Sequence, residues 1–133
     1  MRSWGKKSQK VYDELDECLQ RVVTRVRDEI GDISLIDGYR GEIKQNEYYV
    51  TGVSTILWPH GKHNKKPSLA VDFWPFPMPT RKDKLWASLA YLASAAILIG
   101  KEEGVHIRWG GDWNENGNLS DQTFDDLFHI EKV

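Results

Sequence analysis

Apolar residues recur at steps of three and four between Ser8 and Ile30, a spacing that places them on one face of a helix. Ser8 can cap the start of this helix, and Gly31 follows its end, where a left-handed residue commonly closes a helix. We therefore predict one continuous helix over Ser8–Ile30. Its apolar face consists of Val11, Leu15, Cys18, Leu19, Val22 and Val26.

A second helical pattern follows Thr80, which can cap it, and runs to Glu103, with Gly104 ending it. Its most apolar part, Trp86–Gly100, is shorter than the roughly 20 residues that a membrane span needs. Charged residues flank this part on both sides. We therefore predict a helix of the protein core, without stable insertion into a membrane. The core-facing positions are Leu85, Leu89, Leu92 and Ala96.

Short runs rich in β-forming residues predict four strands around these helices. The predicted strands are Ile33–Tyr39, Ala70–Phe73, Val105–Trp109 and His129–Val133. Glu42–Thr51 predicts a short helix that stops at Gly52. Residues 53–69 predict a long loop, and long loops inside compact domains are commonly functional or disordered. Regular structure is not expected at Pro75, Pro77 and Pro79, and residues 110–121 predict a polar loop.

The mixture of helices with a small sheet is typical of the α+β class. The chain has 133 residues, of which 40% are apolar and 29% charged, and this balance is ordinary for one globular domain with one core. Neither an internal repeat nor a linker is evident. We therefore expect residues 1–133 to form a single domain.

Charge and cysteine content exclude several classes of protein. The formal net charge is −2, whereas a general nucleic-acid binder normally has a strong basic excess, so no nucleic-acid partner is expected. The single cysteine, Cys18, rules out an intrachain disulfide and any cysteine-based metal cluster, and we expect it to be buried. The N-terminal residues contain no apolar stretch of signal-peptide length, which predicts synthesis in a cytoplasm without export.

Four residues with metal or acid–base chemistry stand near the ends of predicted elements. His63 lies on the long loop, Asp72 closes a strand, and His129 opens the last strand. Two imidazoles and one carboxylate can fill three positions around zinc and leave the fourth to a water, as in catalytic zinc sites. A spare acid must accept the proton of that water and deliver it to the leaving amine, and Asp126 is the candidate. These residues suggest a hydrolase.

Each of these residues also has an ordinary interpretation. His63 and Asp72 are nine positions apart, which matches no general local rule. Taken alone, His63 would be a loop histidine and Asp72 a turn-capping residue. His60 and His106 have no acid at a telling distance and are interpreted as ordinary polar residues. Spacing alone therefore leaves the zinc site and the ordinary interpretation both open.

Four segments, in this order, resemble motifs of the VanY-like zinc D-Ala-D-Ala carboxypeptidases and of the related phage L-alanyl-D-glutamate peptidases. Gly38–Gln45 is similar to Gly-Tyr-Arg-Ser-x-x-x-Gln. Gly61–Asp72 resembles Ser-x-His followed by Ala-x-Asp, in the phage form with His-Asn and Pro-Ser. Ile107–Trp113 and Asp126–Glu131 resemble Trp-Gly-Gly-Asp-Trp and Asp-x-x-His-Phe-Glu. The resemblance extends from about residue 33 to the end, and four ordered motifs are more specific than one.

The resemblance implies a Hedgehog/DD-peptidase-like zinc peptidase fold, in which a small antiparallel sheet packs with two long helices. It implies one zinc ion per chain, held by His63, Asp72 and His129, with Asp126 as the general acid and base. The whole of residues 1–133 would then be one catalytic domain without a separate cell-wall-binding module.

The resemblance also places Arg40 near the substrate, with Gln45 as its companion. A guanidinium there could hold the scissile carbonyl or stabilise the oxyanion, whereas the ordinary interpretation of Arg40 is a surface salt bridge. The chain departs from the family motifs at Gly41 and Gly61, which replace serines, and at Phe128 and Ile130, which flank the last ligand. None of these changes a predicted ligand or Asp126, so activity is still expected.

Three further features near the motifs carry alternative interpretations. Glu131 lies two residues after His129, on the same side of a strand, and could orient that ligand or replace Asp126 as the base. Trp113 could line the peptide groove or belong to the core. The positive loop residues Lys62, Lys65 and Lys66 could attract an acidic peptide or simply be solvated.

The segment after the glycine pair resembles a calcium-binding loop. Asp112, Asn114 and Asn116 occupy positions 1, 3 and 5, and a glycine follows at position 6. Position 12 is Thr123 instead of the bidentate glutamate, although Asp121 or Asp125 could substitute. Calcium binding and a plain turn-rich loop are both open.

The leading hypothesis is a peptidoglycan peptidase of the phage endolysin type that hydrolyses an amide of the stem peptide, the L-alanyl-D-glutamate bond. The alternatives are a D-Ala-D-Ala carboxypeptidase and a non-catalytic, metal-stabilised wall-binding module. We expect a monomer that is made in the host cytoplasm and reaches the cell wall after a holin-type protein permeabilises the membrane.

Overall fold

The computed structural model describes residues 3–133 and confirms the predicted α+β class. The helices are α1 (Lys6–Asp13), α2 (Glu17–Glu29), α3 (Glu42–Val50) and α4 (Lys82–Glu102), with a single 3-10 turn at Lys62–Asn64. The strands are β1 (Ile33–Asp37), β2 (Ala70–Pro75), β3 (Ile107–Gly110) and β4 (Asp126–Lys132). They form one antiparallel sheet in the order β1-β2-β4-β3.

The prediction of one continuous helix over Ser8–Ile30 is wrong, because the chain breaks between α1 and α2. At the break, the backbone of Ser68 replaces helical hydrogen bonds: its N–H donates to the carbonyl of Glu14 at 2.8 Å, and its carbonyl accepts from the N–H of Asp16 at 2.9 Å. The Asp16 carboxylate then caps α2 by accepting from the N–H of Cys18. The loop before β2 is thus anchored to the N-terminal helices.

The predicted end signals of these helices also differ from the structure. Ser8 lies inside α1, and its hydroxyl accepts from the N–H of Leu35 at 3.0 Å, so it ties the helix to β1. Within residues 3–133 the glycines with positive φ are Gly52, Gly104 and Gly117, so Gly31 is not the predicted left-handed cap. Cys18 is half-buried instead of buried and packs at the edge of the core.

Helices α2 and α4 pack against one face of the sheet and form the core with it. Helix α4 is long and apolar enough to cross a membrane by length and composition, and about a third of it is buried in the protein. It begins at Lys82 after Arg81, so Thr80 does not cap it. Fully buried side chains on the shared interface include Leu19, Val22, Leu89, Ile107 and Ile130.

The opposite face of the sheet carries polar side chains. The register pairs Asp37 of β1 with Asp72 of β2, and Asp72 with His129 of β4. One pair further along, Glu131 of β4 stands opposite Arg108 of β3. Because β4 begins at Asp126, His129 lies in the middle of the strand and does not open it. Strand β2 also continues to Pro75, against the expectation that this proline lies in irregular structure.

Candidate metal centre

Three side chains from distant parts of the sequence converge on the polar face of the sheet. Nε2 of His63 lies 3.3 Å from Oδ1 of Asp72 and 3.2 Å from Nδ1 of His129. The same Nδ1 lies 3.3 Å from Oδ1 of Asp72, so the three atoms form a nearly equilateral triangle. His63 and His129 are buried. Within residues 3–133 this is the group of histidine and carboxylate ligands that could hold a metal ion.

The outer nitrogen of each imidazole fixes which nitrogen faces the triangle. Nδ1 of His63 donates to the carbonyl of Gly38 at 2.6 Å, which leaves Nε2 as a lone pair. Nε2 of His129 donates to Oε1 of Glu131 at 2.8 Å, which leaves Nδ1 as a lone pair. Such outer hydrogen bonds are what orients histidine ligands in metal sites. Two lone pairs and a carboxylate oxygen therefore point at one another.

The separations of these donor atoms suit a tetrahedral ion. Zinc with ligands at about 2.0–2.2 Å requires its donor atoms to lie roughly 3.3–3.6 Å apart. The triangle has edges of 3.2–3.3 Å. Each of these three atoms presents a lone pair, so they repel one another at this distance. A cation between them removes that repulsion. The donor set thus fits a divalent metal and leaves one coordination position open.

In the absence of a metal, a proton can supply part of the positive charge that these three groups favour. Burial lowers the pKa of His129, but hydrogen bonds to Asp72 and Glu131 outweigh burial and raise that pKa to about 9. Burial alone would raise the pKa of Asp72, whereas the charges and hydrogen bonds of His63 and His129 bring it well below its usual range. The carboxylate of Asp72 thus favours a positive charge at this position, carried by a metal ion or by a proton on His129.

Asp126 lies beside the triangle, with Oδ2 4.0 Å from Nδ1 of His129. Burial and the nearby charge of Asp72 raise its pKa. Its position depends on Gly110 of β3, because a side chain at that glycine would collide with the backbone of Asp126. A carboxylate with a raised pKa next to an open metal position is a stronger base than an ordinary aspartate, and it can accept a proton there and later donate it.

Arg40 is buried beside the triangle, and its donors are already occupied. Nε and Nη2 both donate to Oδ2 of Asp37, and Nη1 donates to Oε1 of Gln45 at 3.0 Å. Nη2 also lies 3.7 Å from the second carboxylate oxygen of Asp72. The surface salt bridge considered for Arg40 from the sequence is therefore not what forms, since its ion pair with Asp37 is internal.

Gln45 is almost fully buried and joins Arg40 to the long loop. Its carbonyl oxygen accepts from Arg40 and from Nδ2 of Asn64, and its amide donates to Oγ of Ser54 and to the carbonyl of Ile56. The amide group thus meets its hydrogen-bonding capacity inside the protein. Asn64 also receives the N–H of Gly61 on Oδ1, and a serine side chain at Gly61 would collide with that atom.

A cavity of about 750 Å³ opens over the triangle and is lined by polar and aromatic side chains. Trp113 lies at one wall, with its ring centroid 5.5 Å from that of His129, and stacks on Phe124 at 6.4 Å. Residues of the long loop and of α3 also line the cavity. Lys62 reaches this cavity, whereas Lys65 and Lys66 are exposed outside it. His60 lies at the cavity wall, and His106 is exposed and pairs with Glu115.

The segment from Asp112 to Asp121 forms a loop of local hydrogen bonds. Asn114 and Asn116 donate to Oδ2 of Asp121, and Oδ2 of Asp112 accepts from the N–H of Gly117 at 2.8 Å. The other oxygen of Asp112, Oδ1, is buried and has no hydrogen-bond partner within residues 3–133.

Two site residues were missed by reasoning from the sequence. Asp37 neutralises Arg40, and Arg108 donates to Glu131 at 2.6 Å on the cavity side of the sheet. For Arg108 a signal existed, because a charged residue between Ile107 and Trp109 in a strand must face away from the core. No comparable signal marked Asp37 as the partner of Arg40.

The chain is similar to a protein family of described activity and to a solved structure. A family model described as phage L-alanyl-D-glutamate peptidase matches residues 2–133. The crystal structure of the L-Ala D-Glu endopeptidase ChiX from Serratia marcescens is similar, with a TM-score of 0.74 and 23% sequence identity over 96% of this chain and 87% of that chain. At 23% sequence identity, this similarity supports a shared fold alone. No curated protein sequence matches this chain.

Proposed function

The chain belongs to the phage L-alanyl-D-glutamate peptidase family and is a peptidoglycan-hydrolysing peptidase, and we propose that it works with one zinc ion held by His63, Asp72 and His129. The observation that carries this proposal is the triangle of donor atoms with edges of 3.2–3.3 Å. Imidazole and carboxylate are donors that zinc accepts, and three protein ligands are typical of catalytic zinc sites. When bound, zinc supplies a Lewis acid for the scissile carbonyl and lowers the pKa of water to about 7.

Asp126 acts as the general base and then as the general acid. Its carboxylate lies close to the open side of the triangle, where it can take a proton from the attacking water. The same carboxyl group then gives that proton to the amine of D-glutamate as the amide bond breaks. Its raised pKa favours the first step, because a more basic carboxylate accepts the proton of the water more readily. Glu131 orients His129 and takes no proton from water.

Arg40 and Gln45 support the reaction from beneath the substrate. The guanidinium lies close to Asp72 and at the cavity wall, so its positive charge lowers the energy of an oxyanion that forms at the scissile carbonyl. Gln45 holds Arg40 and the long loop in place through its four hydrogen bonds. Trp113 contributes an apolar wall against which the peptide backbone packs.

Calcium is a second candidate cofactor, in the loop from Asp112 to Asp121. The buried and unpartnered Oδ1 of Asp112 favours it, because an ion would satisfy that atom. Asn114, Asn116 and Asp121 are the remaining oxygen donors of this loop. An ion there would order the segment that leads into Asp126.

We propose that residues 1–133 form one catalytic domain. We propose that the protein is monomeric, is not inserted in the membrane, and is synthesised in the host cytoplasm. It then reaches the peptidoglycan after a holin-type protein has opened the membrane. The apolar part of α4 serves the core, since its buried positions pack on α2 and the sheet.

The test is mass spectrometry of fragments released from purified peptidoglycan, with chelator, and with zinc added back. We expect new amino termini on D-glutamate, their loss with chelator, and their return with zinc. Release of free D-alanine would indicate a carboxypeptidase instead. Full cleavage by a preparation shown to contain no metal would contradict the zinc proposal, whereas no cleavage with zinc restored would contradict the catalytic function.

A further inference from the structure

We propose that Arg108 forms an anion subsite in the catalytic cavity and binds the free carboxylate of the D-glutamate residue of the substrate. The inference rests on the proposed function and extends it to the choice of substrate. It concerns a side chain that plays no part in holding the metal.

Arg108 is held in place but retains an unused donor. Its Nε and Nη2 both donate to one atom, Oε2 of Glu131, at 3.2 and 2.6 Å. Nη1 has no hydrogen-bond partner within residues 3–133. The side chain is 30% exposed, and it lines the same cavity as the triangle. A guanidinium that is fixed along one edge and open to the cavity along the other is preorganised for a carboxylate.

Glu131 places this guanidinium beside the metal centre. Its Oε1 accepts from His129 while its Oε2 accepts from Arg108, so a single carboxylate separates the arginine from a proposed metal ligand. A substrate whose scissile amide lies at the open metal position therefore shares its cavity with this guanidinium. Because the register sets Arg108 directly opposite Glu131, the distance is fixed by the sheet and not by a flexible loop.

The other cations of the cavity are less suited to this role. Arg40 has its donors occupied by Asp37 and Gln45, and Lys44 donates to Asp37 at 3.0 Å. Lys62 lines the cavity and forms no ion pair in the described part of the chain, so it is the competing candidate for the anion subsite. It lies on the long loop and not on a strand. An ammonium on a flexible stem offers a point charge, whereas Nη1 of Arg108 belongs to a planar guanidinium whose orientation Glu131 fixes.

The chemistry of the substrate supplies the matching anion. In an L-alanyl-D-glutamate bond the glutamate contributes its amine, so both of its carboxyl groups lie outside the scissile amide. A peptide that continues from the glutamate uses one of them, and the other is either a free carboxylate or an amide. An anion subsite would distinguish these two forms, because a carboxamide presents no charge and leaves the guanidinium without its partner.

The test uses zinc-loaded protein and two peptides. The peptides differ only in the second carboxyl group of D-glutamate, which is a free carboxylate in one and a carboxamide in the other. We expect the wild-type protein to prefer the carboxylate in kcat/KM by about tenfold to a hundredfold, and Arg108→Gln to bring that ratio close to one. Arg108→Lys should retain part of the preference. The ratio is informative even if the variant binds metal more weakly, because weaker metal binding lowers both rates by the same factor.

Three results would overturn the proposal. The wild-type protein could cleave both peptides equally, or Arg108→Gln could lower both rates and keep their ratio, which would assign Arg108 only to positioning Glu131. The preference could also disappear in Lys62→Met and persist in Arg108→Gln. Failure of the proposed function looks different, since neither peptide would then be cleaved by the zinc-loaded wild-type protein.

Discussion

Glu131 accepts the Nε2 hydrogen of His129 at 2.8 Å, and this contact decides that Nδ1 of the same ring faces Asp72 and His63. The carboxylate stays ionised, because the hydrogen bonds of His129 and Arg108 lower its pKa against the effect of burial. A buried anion behind an imidazole also makes that imidazole a better electron donor to a metal.

Replacement of this carboxylate should therefore weaken metal binding. For Glu131→Gln we expect zinc affinity to fall about tenfold to a hundredfold, measured by competition with a chromophoric chelator. Glu115→Gln is the matched control, since Glu115 accepts from His106 at 2.6 Å on the surface. Equal zinc affinity in Glu131→Gln and in the wild-type protein would rule out this orienting role.

Asp126 is proposed to carry the proton and not to bind the metal, so its replacement should lower turnover and leave zinc binding intact. Asp126→Asn should retain zinc and lose turnover by a factor on the order of 10² or more, because it removes the only proton acceptor proposed for the water. Metal content by elemental analysis and peptide hydrolysis are measured on the same sample. Asp125→Asn, a change of the exposed neighbour, serves as the control. Normal hydrolysis by Asp126→Asn would refute the assignment.

The metal-free protein should lose stability as the pH rises. The folded protein raises the pKa of His129 from 6.5 to about 9, so the stability from its imidazolium is complete below pH 6.5 and is lost as the pH rises through about 9. We expect the Tm of chelator-treated protein to fall across this range. Zinc-loaded protein should not show that fall, because its ligand nitrogen carries no proton. A flat Tm for the metal-free protein would contradict the shifted pKa.

Gln45 should matter for stability at least as much as for the reaction. Gln45→Ala leaves the buried groups of Arg40 and Asn64 without their common acceptor, at a cost of about 1–3 kcal/mol for each buried group left unpaired. We expect a lower free energy of unfolding in urea. Gln9→Ala removes an exposed hydrogen bond to Asp13 and should change stability little. Equal stability of the two variants would place Gln45 with the substrate and not with the fold.

Calcium binding to the loop is tested by titration of zinc-loaded protein. We expect calcium to raise both the Tm and the rate of hydrolysis, and Asp112→Asn to abolish both effects, since it removes the charge at the first loop position. The variant Asp83→Asn, at the exposed start of α4, is the control for loss of one surface carboxylate. If calcium changes neither quantity in the wild-type protein, the loop is a plain turn.

The sequence by itself determined the fold class, the positions of most helices and strands, and the four motifs that indicate the family. These features are local, because a helix or strand leaves its period in neighbouring residues, and a motif keeps its spacing in the chain. For the same reason His63, Asp72, His129 and Asp126 could be selected before their positions in space were known.

Only the tertiary structure decided where the long N-terminal helix breaks and how the site is supported. The break at Leu15 depends on Ser68, and the role of Arg108 depends on a strand register that brings it opposite Glu131. Such pairings join residues far apart in the chain, and their energy comes from hydrogen bonds that no local pattern of apolar and polar residues specifies.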